Sequence, residues 1–230
     1  MKTNKYNITT TILYFLILSL LKMDWIIRLL ATHLSEKQQW FIFVYFDLIF
    51  YTLFFVVFVF INRTMLVKDI KDLVNNRSKY LRESVWTFAF IIVSSVTIAI
   101  FLSVVFSVGE SSNEIAIDVA SKSDFGVTAL YVCLFGPIVE EFVFRGIIYE
   151  QLIGWVDKKS WNYICVIVVS ILFMCHHMNF SEMFCGDFTV IASYIPLFFV
   201  SLGVTYLYER NRNILLPITV HMAMNILGYS

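Results

Sequence analysis

Apolar residues run along this chain in long blocks instead of alternating with polar ones. A helix rises about 1.5 Å per residue, so about 17–25 apolar residues in a row cross the hydrocarbon core of a bilayer. Blocks of that kind fall at 8–22, 39–61, 84–108, 126–149, 161–178 and 190–208, and a shorter one stands at 214–229. Together they predict an all-α, polytopic transmembrane bundle of about seven spans. The segment 24–34 (DWIIRLLATHL) breaks the pattern, because Asp24 and Arg28 interrupt its apolar positions. Such an amphipathic stretch predicts a helix lying in the membrane interface.

Composition sharpens this picture. Hydrophobic residues make up 59% of the 230 and charged residues 15%, whereas a soluble domain is about half apolar and a quarter charged. A soluble core of this size could not hide 23 phenylalanines beside so much Leu, Ile and Val. The 17 basic and 17 acidic side chains balance, and the basic ones sit in short connections, not along one stripe. That pattern argues against a nucleic-acid partner. Cys133, Cys165, Cys175 and Cys185 lack CxxC spacing and predict neither a disulfide framework nor a zinc framework. Lys2 and Lys5 precede the first apolar block, and no small-residue cleavage site follows Leu21, so the block reads as an uncleaved span.

Basic residues in short loops stay on the cytoplasmic side. The segment 63–83 carries Arg63, Lys68, Lys71, Arg77, Lys79 and Arg82, whereas 109–125 sets Lys122 beside Glu110, Glu114, Asp118 and Asp124. The first is therefore expected inside and the second outside. Alternation then puts Lys158, Lys159, Arg210, Arg212 and the N-terminus inside, and Glu182 and Asp187 outside. The chain reads as a multi-pass protein of the cell membrane, with lipids as its first partners. No internal repeat is evident. We expect one membrane domain in two parts: spans and an interfacial helix over 1–125, and a core over 126–230 whose spans carry polar groups.

Ionisable groups inside a span cost a few kcal/mol at least, so each one needs a purpose. In LFGPIVEEFVFRGIIYEQL, Glu141 and Arg145 stand at i,i+4 and can pair. Glu140, about 100° around the axis, is left free for chemistry. In SILFMCHHMNF, Phe173 and His177 share a face, and His176 is assigned to packing or support. In LLPITVHMAMNIL, His221 and Asn225 share a face. Pro137, one turn before Glu140, can open the helix beside the carboxylate. One carboxylate, one or two imidazoles and an amide on three helices suit peptide hydrolysis. Glu140 can take a proton from water and return it to the leaving amine, and His177 can hold that water. His221 and Asn225 are donors suited to an oxyanion.

These residues resemble the CAAX-protease and bacteriocin-processing (Abi) family of membrane proteins. Its marks are EExxxR, FxxxH and HxxxN on separate transmembrane helices, and here they are Glu140-Glu141-Phe-Val-Phe-Arg145, Phe173-Met-Cys-His-His177 and His221-Met-Ala-Met-Asn225. The resemblance covers about 126–228. It implies that Glu140 is the general base, assisted by His177, and that His221 and Asn225 form the oxyanion site. Glu141 and Arg145 then hold the first helix in register. It also implies a peptide or prenylated-protein substrate, with members that trim CAAX proteins and others linked to bacteriocin immunity or maturation. The short length leans toward the bacterial members.

The cofactor stays open at this point, since Glu140, His177 and His221 could bind zinc or act without metal. HExxH is absent, Gly186-Asp187 is preceded by Phe184-Cys185 and not by GxGD spacing, and no GxSx motif accompanies a His. Two readings of other classes stand beside the peptidase: a non-catalytic bacteriocin immunity or interaction protein, and a transporter using Glu140, Glu141 and Arg145 as a relay.

Overall fold

The computed structural model describes residues 5–21 and 35–229. The expected interfacial helix at 24–34 and Lys2 lie outside them. The described residues are helical, without strands. In chain order the helices are α1 (Lys5–Leu21), α2 (Glu36–Asn75), α3 (Arg77–Phe106), α4 (Ser112–Ser123), α5 (Phe125–Ile153), α6 (Lys159–His177), α7 (Phe180–Met183), α8 (Phe188–Ala192), α9 (Ile195–Asn211) and α10 (Leu215–Tyr229). Five stretches are long and apolar enough to cross a membrane: Tyr45–Asn75, Arg77–Phe106, Phe125–Ile153, Lys159–His177 and Phe188–Asn211. The first and last expected spans are shorter, with 17 residues in α1 and 15 in α10.

Two expected loops are helical instead. α2 runs for 40 residues, about 60 Å of helix, or twice the hydrocarbon thickness. Its basic end therefore continues beyond the bilayer. No Gly or Pro interrupts 62–83, so no strong helix breaker falls in this segment. Asn76 alone separates α2 from α3, and its amide donates to the Asp72 carbonyl and carboxylate. The acidic segment 109–125 contains α4. Its capping box pairs the Ser111 hydroxyl with the Glu114 N–H and the Glu114 carboxylate with the Ser111 N–H.

α5 is the hub. Of its apolar window 56% is buried, against 17–39% for the other four spans, so neighbours surround it where the others face lipid. On α2 the phenylalanines at 46, 50, 54 and 58 recur every four residues and touch ring to ring down one face, ending stacked on Phe142 of α5 at 5.8 Å. Ile49, Leu53, Val56 and Phe60 point the other way and are exposed. Tyr14 of α1 and Val166, Val169 and Phe173 of α6 close the same core. α9 packs on α6 on one side and on α3 and α10 on the other, through Ile91, Val204, Leu207, Leu216 and Val220.

α5 is not a regular α-helix. Residues Tyr131–Phe135 and Phe142–Tyr149 form wide, π-type turns on either side of Gly136–Glu141. The Gly136 N–H reaches back five residues to the Tyr131 carbonyl, and a Cβ at Gly136 would lie 2.7 Å from that oxygen. Only glycine fits the turn. Gly136→Ala is expected to lower stability by about 1–3 kcal/mol, the cost of forcing atoms into a packed core. A thermal unfolding midpoint equal to wild type would refute this.

Candidate active site

The turn that starts α10 is clasped from two sides. Asp69, on the extended end of α2, accepts from the Ile214 N–H at 2.9 Å, and the Asn213 amide donates to the Asp69 carbonyl. An acid at the first amides of a helix satisfies donors that the helix itself cannot. On the other side, Glu150 of α5 accepts from the Tyr208 hydroxyl and from Arg212 at 2.7 Å. Arg212 also bonds Glu209, which in turn accepts from Tyr149 and Asn162. These contacts lock the approach to His221.

Arg145 is wholly buried, and every bond it makes is directed inward. Its guanidinium donates to Glu141 at 2.9 Å, to the Ser201 hydroxyl at 2.6 Å and carbonyl at 3.2 Å, and to the Thr205 hydroxyl at 3.1 Å, while stacking on Phe173 at 4.8 Å. The expected Glu141–Arg145 pair is thus present. Ser201 and Thr205 were not singled out from sequence, although two hydroxyl residues four apart in an apolar span were a readable signal.

Glu141 uses the same oxygen, Oε1, to accept from His221 Nδ1 at 2.8 Å. His177 Nδ1 lies 2.9 Å from the Phe173 carbonyl, and because a carbonyl can only accept, that nitrogen carries the proton. Both rings therefore turn Nε2 toward Glu140, and each Nε2 stands 3.9 Å from Glu140 Oε2. That gap is too long for a direct hydrogen bond and suits one bridging water. Glu140 Oε1 accepts from the Tyr51 hydroxyl at 3.3 Å. Tyr51 carries no sequence signal of its own, being one of 12 tyrosines with no motif position.

Asn225 is brought to the same region but is engaged with backbone: its amide donates to the Val132 carbonyl at 2.8 Å. In a wide turn that carbonyl would take the N–H of residue 137, which is proline and has none. The side chain of one motif thus satisfies the acceptor that the proline beside the other leaves open. His176 contacts the Tyr14 hydroxyl at 3.2 Å and packs on Phe144, consistent with a supporting place.

Zinc needs its donors at about 2.0–2.1 Å from one point. Among the described residues no group of three or more His, Cys, Asp or Glu is arranged to hold a metal ion.

Residues 122–227 match the family described as type II CAAX prenyl endopeptidase Rce1-like, a stretch containing all three motifs. The resemblance read from those motifs therefore holds. At family level the match is to a CAAX-type intramembrane protease. The UPF0177 protein YajF of Lactococcus lactis subsp. lactis (strain IL1403) is 34% identical over 110 residues, 47% of this chain and 46% of that protein. The chain spans about half the length of the curated relative it matches. No solved structure matches at a significant level.

Proposed function

We propose that this chain, similar over residues 122–227 to Rce1-like endopeptidases, hydrolyses membrane-associated or lipidated peptides with a water activated by Glu140. One observation carries the reading: the Glu140 carboxylate and the Nε2 atoms of His177 and His221 face a common point from three helices, while each Nδ1 is fixed by a separate bond. A water held by Glu140 Oε2 and His177 Nε2 gives its proton to Glu140 as its oxygen attacks the scissile carbonyl. The oxyanion is met by the second amide proton of Asn225 and by His221, whose ring takes a second proton on Nε2 from solvent while Nδ1 stays bonded to Glu141. Glu140 then returns its proton to the leaving amine.

We also infer that the basic ends of α2, α3 and α9 face the cytoplasm, with the catalytic core in 126–230. His177 is the last residue of α6, at the end away from its basic start at Lys159. The test is purified protein in nanodiscs with prenylated CAAX peptides and hydrophobic leader peptides, read by mass spectrometry. Cleavage is the expected result. No cleavage of any peptide, together with full cellular activity of Glu140→Gln, would replace the enzyme with a binding protein.

Tyr51 gives a finer test of the geometry. Tyr51→Phe removes a donor to a charged group, about 1.5–3 kcal/mol, and is expected to lower kcat by about 10–100-fold with KM little changed. An unchanged kcat would remove Tyr51 from the site.

A further inference from the structure

A groove lies on the lipid-facing surface, away from the site. α9 packs on α6 and on α3, and between those two the surface stays open. Gly203 and Leu207 of α9 form the floor, Trp86 and Thr87 of α3 one wall, and Tyr163 and Ile167 of α6 the other. The volume is about 640 Å³. Gly203 lets α9 approach α3 closely beside it: a Cβ there would lie 2.5 Å from Ile91 Cγ1. A second apolar groove of about 700 Å³ shares Trp86 and Phe90 with the first and continues along α3 to Phe101.

The mouth is charged where the rest is apolar. Arg82 and Arg210 stand there with Glu83. Glu83 is held mainly by Asn211, whose amide donates to it at 2.6 Å, while Arg210 reaches it only at 3.5 Å. Two cations thus face one carboxylate, and the Arg210 side chain is 54% exposed. The distance from Arg82 to Phe90 along the helix is about 12 Å, close to the depth of one leaflet, about 15 Å.

We propose that this groove binds an anionic phospholipid, with one acyl chain between α3 and α6 and the phosphate at Arg82 and Arg210. Apolar walls inside the bilayer are covered by lipid chains whatever the headgroup. The arginine pair at the end assigned to the cytoplasm is what selects charge, because a guanidinium fork matches phosphate oxygens and cytoplasmic-side basic pockets between helices attract anionic headgroups. The site is independent of the catalytic reading, and its test uses binding alone.

The full chain in detergent is titrated with phosphatidylglycerol and with phosphatidylcholine of identical acyl chains, and retained lipid is counted by native mass spectrometry. Wild type is expected to hold phosphatidylglycerol about tenfold better, a preference that shrinks as salt rises. Arg82→Gln/Arg210→Gln should bring the two lipids level, and Lys68→Gln/Lys71→Gln, exposed positions on α2, should leave the preference intact. Arg82→Gln alone, also at an exposed position, should show a partial loss and serves if the double variant does not fold. Equal retention by wild type, preference surviving in both Arg82 variants, or equal loss in the α2 lysine control would each overturn the site.

Discussion

Glu140→Gln is expected to lower kcat by about 10²–10⁴-fold, the usual contribution of a positioned general base, while the unfolding midpoint stays near that of wild type. The two adjacent carboxylates make this separable. Glu140 takes one hydrogen bond of 3.3 Å from Tyr51, and its second oxygen faces imidazole nitrogens 3.9 Å away. The glutamine carbonyl can still accept from Tyr51, so little packing is lost, but an amide cannot take a proton from water. Glu141, by contrast, holds both Arg145 and His221 on one oxygen, so Glu141→Gln should lose stability as well as rate. Activity of Glu140→Gln within a factor of about three of wild type would sink the general-base role, since the range given for such a base begins at about 10²-fold.

What the sequence allowed to be read, and what it hid, divides along a physical line. Features set by local periodicity were legible: the apolar blocks became helices, and the i,i+4 pair of Glu141 and Arg145 formed as helix geometry requires. The convergence of His177 and His221 on Glu140 was legible only because three motifs pointed to one place. Tyr51 was not, because a tyrosine in an apolar span looks like any interfacial or core ring until α2 is docked. The Asn225 bond to Val132 depends on a wide turn around Gly136 and Pro137, which hydrophobic patterning at 3.6 residues per turn does not register. The basic segment after 62 was expected as loop because charge was read as connection. Lacking Gly and Pro it stayed helical, and Asp69 on that extension now holds the start of α10.

The largest expected loss of stability comes from Arg145. Its buried guanidinium is bonded by Glu141, Ser201 and Thr205 and lies over Phe173, so one side chain ties α5 to α9 and to α6. Arg145→Met keeps much of the apolar stem but leaves Glu141 charged and buried with only His221 on it. Removing one member of such a pair costs about 3–5 kcal/mol, and the Ser201 and Thr205 hydroxyls lose a donor as well. Glu141→Gln added to Arg145→Met takes away the stranded charge, and the double variant should recover a good part of the stability lost by Arg145→Met. It should not recover activity, because the glutamine amide is a weaker acceptor for His221 Nδ1 than the carboxylate and holds the ring less firmly with Nε2 toward Glu140. Reversible unfolding in mixed micelles measures the first effect and peptide cleavage the second. If the double variant were no more stable than Arg145→Met, the ion pair would not be what Arg145 is buried for, and its bonds to α9 would carry its role alone.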